Sequence, residues 1–216
     1  MTTRLAILID GEFLRRDIES RRDEPAAAHD IIRHVHEIID HLASKGITAP
    51  LYRVFYYTAD PPSGKRINPM NKTDTPLAHP SVGGKTKQLH RDLEQEPYVA
   101  VRRGDVAFQG WRIKRSVARS LMEGKPRPLM ADDIRPNLKQ KGVDMRIGLD
   151  IASLALKRLV GHVVVVAADA DMVPALKLAR REGATSLSRQ AFESGGRGTP
   201  HPFRLRLSSP QSVLSL

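Results

Sequence analysis

The 216-residue chain carries 35 Lys and Arg against 24 Asp and Glu, a net charge of +11, and it contains no cysteine. Disulfides, zinc fingers and thiol chemistry are therefore excluded, while the excess of cations predicts salt-sensitive attraction to a polyanion, with nucleic acid as the leading partner class. The N-terminal apolar run is too short for a signal sequence and no apolar run approaches the ~18 residues of a membrane span. The sequence thus predicts a cytoplasmic protein with no membrane partner.

Two apolar runs end abruptly in carboxylates. Leu5 to Ile9 precede Asp10, and the run that begins at Val163 ends shortly before Asp169 and Asp171. Short β-branched runs of this kind are typical of strands buried on both faces of a parallel sheet, where ligands collect beyond the carboxyl ends. The repeated pattern predicts a shared site. Because carboxylates brought together repel each other, a hard cation such as Mg²⁺ or Mn²⁺ would suit their oxygen ligands.

A second interpretation of the same carboxylates is purely structural. Asp10 would serve as a turn or cap residue, Asp169 would cap the following helix, and Asp171 would strengthen the first turn of a helix that begins near Pro174. Strands commonly lead into helices through Asp, so each residue taken alone leaves the two interpretations open.

The elements between these runs are predicted from periodicity, turn residues and charge. In chain order, the predictions are a solvated charged segment over Asp17–Glu24, a helix from Pro25 to Gly46, a strand over Leu51–Tyr57, a long loop from Pro61 to Gly84, a short helix over Lys85–Glu94, an extended region from Tyr98 to Trp111, and a helix entered through Gly142. Three histidines of the first helix are predicted to lie on the surface rather than to bind a metal: His34, His36 and His41.

The segment from Arg102 to Lys141 contains 11 basic and 4 acidic residues. Cationic side chains follow phosphates, so this segment is the candidate surface for a nucleic-acid strand. Phe108 and Trp111 could stack on bases, although each is more readily explained as a core aromatic. The candidate cations are Arg102, Arg103, Arg112, Lys114, Arg115, Lys139 and Lys141.

Two further carboxylates lie on the helix entered through Gly142. At 100° per residue Asp150 falls on a polar strip with Arg146, whereas Asp144 falls on the side of Ile151. The pattern therefore predicts a solvated Asp150 and an Asp144 on the buried side. Asp144 would then be either a cap or a group that reaches the strand ends.

The whole set of motifs resembles the NYN branch of the PIN-like ribonucleases, particularly the bacterial LabA-like group. The motifs are Ile7-Leu-Ile-Asp10-Gly-Glu-Phe13, then Lys141-Gly-Val-Asp144 with Asp150, then Val165-Val-Ala-Ala-Asp169-Ala-Asp171-Met-Val-Pro174. The resemblance covers about Arg4 to Ala184. It implies a Rossmann-like, PIN-like three-layer α/β/α fold with a mostly parallel central sheet, and Mg²⁺- or Mn²⁺-dependent hydrolysis of RNA, with single-stranded RNA as the expected partner.

Carried over by position, the resemblance implies five catalytic carboxylates: Asp10, Asp144, Asp150, Asp169 and Asp171. The implied metal ligands are Asp10, Asp144, Asp169 and Asp171. Phe13 departs from the Asn of many members, and Ala167-Ala168 replaces the usual Ser-Gly. A non-catalytic nucleic-acid-binding or regulatory protein therefore stays open as the alternative. An Asp-x-Asp phosphatase fits less well, because in that class the strand opens the domain.

The C-terminal part of the chain is predicted to lie outside the core. Residues 1–185 would form the nuclease domain, with a loop-rich insert near 60–84 and the basic segment 102–141, and residues 186–216 would be a polar, weakly ordered tail. Arg189 and Gln190 interrupt the alternation that starts at Thr185, so the family's last strand is predicted to be missing. The uncovered sheet edge would then favour pairing with a second copy of the chain.

Overall fold

A computed structural model describes residues 3–22, 24–78, 80–167, 172–189 and 206–207. The elements are β1 Leu5–Asp10, α1 Gly11–Arg22, α2 Ala28–Ser44, β2 Leu51–Ala59, β3 Lys65–Ile67, β4 Asp74–Pro76, α3 Pro80–Gln95, β5 Val99–Ile113, α4 Arg115–Met122, β6 Ile134–Lys141, α5 Val143–Leu156, β7 His162–Val166, α6 Val173–Arg181, β8 Thr185–Arg189 and β9 Arg206–Leu207. None of the described helices is both long and apolar enough to cross a membrane.

The chain divides into two compact units. The first comprises residues 1–58, 89–103 and 142–216, and the second comprises residues 59–88 and 104–141. The described strands of the first unit lie in the order β5-β2-β1-β7-β8-β9, in which β5 contributes only its first residues, 99–103. The strands β2, β1, β7 and β8 run parallel, and β9 is antiparallel to β8. The mostly parallel sheet predicted from the sequence is confirmed.

Helices cover both faces of this sheet, because alternate residues of each buried strand point to opposite sides. On one face Ile7 and Ile9 of β1 belong to the core that includes buried residues of α1, α2 and α3. On the other face Ala6 and Leu8 belong to the core that includes buried residues of α5 and α6. The predicted three-layer α/β/α, Rossmann-like fold is therefore confirmed.

The charged segment near the N-terminus is helical, so its prediction as a merely solvated stretch is incomplete. Arg15 of α1 bonds to Glu19 at 2.7 Å and to Glu12 at 2.8 Å, one turn away on either side. Pairs at these spacings stabilise a helix surface. Apolar residues are few in this helix: Leu14 is buried, and Phe13 and Ile18 pack against the same core. A rule based on apolar spacing consequently misses this helix.

Helix α2 confirms the predicted amphipathic helix, although it begins at Ala28 rather than at Pro25. Its apolar stripe lies in the core, but His34 is only 7% exposed, so the prediction of a surface position is wrong for this residue. His36 is exposed and His41 is half-buried. Because His34 follows the core residue Ile31 at helical spacing, it is drawn under the helix with the stripe.

The second unit is built around an antiparallel pair, in which residues 105–113 of β5 pair with β6. The part of the chain predicted as a long loop from Pro61 contains β3 and β4, which pair with each other, and the first residues of α3. That prediction is therefore wrong, because strands of three residues are too short to carry a period. Within this unit the side chain of Asn68 donates to the Ala131 carbonyl at 3.2 Å.

The sequence predicted that the sheet of the first unit ends at β7. In the structure the sheet continues beyond that strand. β8 pairs with β7 along its length, and Leu187 at its centre is 1% exposed. The missing strand and the uncovered edge at β7 are thus corrected. Residues 190–205 and 208–216 of the predicted tail lie outside the described residues, and a homo-oligomer stays a prediction.

Candidate functional site

Asp10 occupies the carboxyl end of the central strand. Its Oδ1 accepts a hydrogen bond from the backbone N–H of Phe13 at 3.1 Å, so Asp10 caps α1 in addition to being a candidate site residue. Burial raises the pKa of the Asp10 carboxyl; the Phe13 N–H lowers the pKa, and the charge of Asp144 raises it further. The net shift is upward, as expected for a half-buried carboxylate that feels the charge of a second one.

The charge of Asp144 is thus felt at Asp10, and the convergence of these two carboxylates at one site stays a prediction. Asp144 lies in the first turn of α5, two residues after Gly142, but it is exposed rather than buried. Helical side chains point toward the N-terminus, so a first-turn side chain extends past the helix end and is left uncovered even when it lies above core positions such as Ile151. The predicted side of the helix is right and the predicted burial is wrong.

Asp150 belongs to a separate group of contacts, which it forms with Tyr57 and Arg102. The Tyr57 hydroxyl donates to its Oδ2 at 2.7 Å, and the Arg102 Nε lies 3.5 Å from the same oxygen. Burial, and after it the hydrogen bond to Asp150, raises the pKa of Tyr57, which therefore stays protonated and acts as the donor. Asp150 is half-buried and bonded, so the prediction of a solvated polar strip is wrong for it.

Strand register explains how these groups meet. Asp10 pairs with Tyr57 across β1 and β2, and paired residues of neighbouring strands project to the same face. Tyr57 lies in the core beneath α5, the helix that carries Asp144 and Asp150. The sequence analysis did not identify Tyr57 as a residue of the candidate site. Once β2 is known to lie beside β1, the alternation of side chains along β2 places Tyr57 on the same face as Asp10.

Asp169 and Asp171 lie outside the described residues. The strand that precedes them in the sequence is described: β7 is parallel to β1, and its last residue, Val166, pairs with Ile9, the residue before Asp10. Among the residues that the structure describes, no group of three or more His, Asp or Glu side chains forms a ready metal cluster. The convergence of Asp10 with Asp169 stays a prediction.

The predicted nucleic-acid-binding cations fall into both units. Arg102 lies over the Phe55 ring at 5.4 Å as well as beside Asp150, and Arg103 bonds to Glu94 at 2.8 Å. Both belong to the first unit. The remaining cations belong to the second unit, where all of them are exposed: Arg112, Lys114, Arg115, Lys139 and Lys141.

A second polar contact lies at the end of β2. The Thr58 hydroxyl and the His90 Nε2 are 2.9 Å apart, and His90 is 1% exposed. The ring of His90 also meets that of Tyr56 edge-on, with centroids 6.4 Å apart. Buried polar groups need such partners, so this contact fastens α3 to the sheet near the candidate site. No periodic signal in the sequence points to it.

Gly11 follows Asp10 and lies directly under Tyr56. The Tyr56 hydroxyl donates to the Gly11 carbonyl at 3.2 Å, and a Cβ added to Gly11 would lie 2.6 Å from Tyr56 Cε1 and 2.7 Å from its hydroxyl oxygen. Both neighbouring strands are buried, so the ring has little room to retreat. The glycine is required by this close approach, which brings the start of α1 against β2.

We expect Gly11→Ala to lower the free energy of unfolding by about 1–3 kcal/mol, the usual cost of overpacking, as measured by urea unfolding. The matched control is Gly84→Ala in α3, where an added Cβ meets nothing within 4 Å. Ala is favoured over Gly in a helix, so the control is expected to be neutral or to stabilise by up to about 1 kcal/mol. Equal midpoints for the two variants would contradict this account of Gly11.

Comparisons with known proteins add little to this geometry. No protein-family model matches the sequence, and no curated protein matches it. A solved structure described as a protein of unknown function from Vibrio parahaemolyticus is similar to this chain, with a TM-score of 0.42 and 14% identity over 86% of this chain and 79% of the other.

Proposed function

We propose that this chain is a Mg²⁺- or Mn²⁺-dependent ribonuclease of the NYN branch of the PIN-like superfamily, which hydrolyses phosphodiester bonds of single-stranded RNA. The observation that carries the proposal is Asp10 at the carboxyl end of the central strand β1 of a mostly parallel sheet, where the charge of Asp144 contributes to raising the pKa of the Asp10 carboxyl. In sheets of this kind, that end of the strands is where ligands bind. The neighbouring strand β7 leads within a few residues to Asp169 and Asp171.

The residues present fit a hard divalent cation. Partial burial, and to a lesser extent the charge of Asp144, raises the pKa of Asp10, and a bound cation would favour its ionised form. The donors are carboxylate oxygens, the ligands that Mg²⁺ prefers. Asp10 and Asp144, with Asp169 and Asp171, would hold the ion. When bound, it would supply a water of lowered pKa and offset charge on the phosphate oxygens.

The other residues of the site have supporting roles in this proposal. The Phe13 N–H fixes the rotamer of Asp10 through a main-chain contact that any residue at position 13 could make. Tyr57 holds Asp150, and Arg102 beside it offers a cation at the same edge. Asp150 thus acts as a positioning residue for Tyr57 and Arg102, whereas the resemblance alone implies a catalytic one.

A second candidate function is non-catalytic RNA binding or regulation. It is favoured by the exposed cations of the second unit, which need no carboxylate site in order to bind phosphates. Both candidates predict binding to RNA, but only the first predicts its cleavage.

The experiment that separates them uses the pure full-length chain and a fluorescently labelled single-stranded RNA, with Mg²⁺, with Mn²⁺ and with EDTA. We expect cleavage that needs the metal and that Asp169→Asn slows by about 10²–10³, the usual loss for one electrostatic stabiliser. Asp40→Asn on the exposed face of α2 is the control and should cleave at the full rate. Binding without metal-dependent cleavage would reject the nuclease in favour of the second candidate.

A further inference from the structure

The antiparallel pair formed by β5 and β6 has two chemically different faces. Register fixes them, since residues paired across the strands share a face: Trp111 pairs with Pro136, and Phe108 pairs with Leu138. These apolar pairs lie on one face. The residues of the opposite face are Asp105, Ala107 and Arg112 of β5 with Arg135, Asn137, Lys139 and Lys141 of β6.

An irregularity in β5 keeps the two faces separate. Phe108 and Trp111 are three positions apart, a spacing that would put them on opposite faces of a regular strand. The register shifts between them, and Gly110 has a φ of +88°. A bulge of this kind inserts one residue and needs glycine at the left-handed position. Both aromatic rings therefore lie on the apolar face, where their centroids are 6.0 Å apart.

The aromatic pair is also covered by a cation of the same unit. The guanidinium of Arg66 lies over the Phe108 ring, 5.6 Å from its centroid. Phe108 and Trp111 are thus engaged with each other and with Arg66 on the apolar face. Because the two rings lie on the other face from Arg112 and the cations of β6, they do not stack on the bases of a strand whose phosphates contact those cations.

The opposite face is strongly cationic. Four of its side chains are exposed cations with no ion pair inside the described part of the chain: Arg112, Arg135, Lys139 and Lys141. Arg112 and Arg135 are directly opposite each other across the strands, an arrangement of like charges that destabilises a sheet. Asp105 is the one acidic residue among the face residues given above, and it pairs with Lys141.

We propose that this cationic face binds the phosphate backbone of single-stranded RNA, and this deepens the proposed function, on which it rests for the choice of RNA. A repulsive Arg pair held open to solvent is accounted for if an anion lies between the two side chains. Arg112 and Arg135 lie side by side, and Lys139 and Lys141 follow along β6, where successive residues of one face are about 7 Å apart, so the cations form a band along the strand that suits a phosphate backbone. With the aromatics on the other face, binding would depend little on base identity.

The inference narrows the set of cations predicted from the sequence. Arg112, Lys139 and Lys141 lie on the cationic face, and Arg135 joins them although composition alone did not single it out. Lys114 and Arg115 belong instead to the start of α4 and are not required.

The test is fluorescence anisotropy of a labelled U-rich RNA of about 20 nucleotides, long enough to span such a site, with the full chain in EDTA so that no cleavage occurs. Four phosphate contacts predict a slope of log affinity against log salt of about −2.8 for a single strand, and Arg112→Gln with Arg135→Gln should reduce it to about −1.4. The matched control removes two exposed cations of α6, Lys177→Gln with Arg181→Gln, and should keep the full slope.

Stability provides a second readout. Because the Arg pair is repulsive, the Arg112→Gln with Arg135→Gln variant should unfold at the same or a higher urea concentration while it binds RNA more weakly. Three results would each overturn the proposal. The first is an equal loss of affinity in the test and control variants, and the second is a preference for a duplex over the single strand. The third is binding to vesicles rich in anionic lipid in place of RNA. Intact binding without cleavage would instead reject the nuclease and leave this inference standing.

Discussion

Asp10→Asn is expected to lower the rate of metal-dependent RNA cleavage by about 10²–10³ while the fold is kept. The reason is that Asn retains the oxygen that accepts the Phe13 N–H, and Asn caps a helix about as well as Asp. Only the negative charge is lost. Asp10→Ala is the comparison, since it removes the cap as well and should cost about 1 kcal/mol of stability in addition to activity.

The same variant should change the dependence of stability on pH. Burial, with the charge of Asp144, raises the pKa of Asp10 in the folded protein above its value in the unfolded chain. As the pH rises through the interval between those two values, the unfolded state loses its proton first, so the folded state becomes relatively less stable. Asp10→Asn lacks this loss and should gain stability relative to the wild type from acidic to neutral pH in urea unfolding without metal. A difference that does not vary with pH would contradict the assignment.

Addition of Mg²⁺ or Mn²⁺ should reverse this order at neutral pH. A ligand that binds only the folded state stabilises it by mass action, so the metal should raise the unfolding midpoint of the wild type. We expect no comparable rise for Asp10→Asn. A shift of the same size in both proteins would place the ion elsewhere.

Leu187→Ala is the second large effect, with an expected loss of about 2–5 kcal/mol in urea unfolding, the range for a buried Leu replaced by Ala. Leu187 is 1% exposed on β8 and belongs to the same core as Ile7 and Ile9. The residue therefore tests whether the sheet continues beyond β7.

The matched control for that variant is Leu156→Ala at the end of α5, where the side chain is 57% exposed. Leu and Ala have similar helix propensities, so this change should stay within about 0.5 kcal/mol. If Leu187→Ala were as mild as its control, β8 would be a marginal element and the boundary predicted near residue 185 would regain support.

The central part of the fold could be predicted because its signal is local. Leu5 to Ile9 and Val163 to Val166 are continuous apolar runs. A strand that helices cover on both faces buries every side chain, so its sequence is apolar at every position. The position of Asp10 could be predicted for the same reason, because it directly follows the apolar run of β1 and so lies at the carboxyl end of that strand.

The parts that could not be predicted depend on neighbours far along the chain. Leu187 is the one apolar residue among the five of β8, so the segment is recognised as a strand only beside β7. β6 contains Pro136 and three basic residues, yet pairing with β5 makes it a strand. The state of Asp150 likewise depends on Tyr57, 93 residues away in the chain.

The central position of β1 has a consequence for how the chain folds. Its first partner, β2, follows within about 50 residues, but its other partner β7 begins at His162, roughly 150 residues after Leu5. During synthesis one edge of β1 would therefore wait unpaired until most of the chain has left the ribosome, and closing so long a loop is slow. An apolar strand with an open edge is a template for pairing with other chains. The central strand of the native sheet is thus exposed to pairing with other chains until the last quarter of the chain, which begins with β7, has been synthesised.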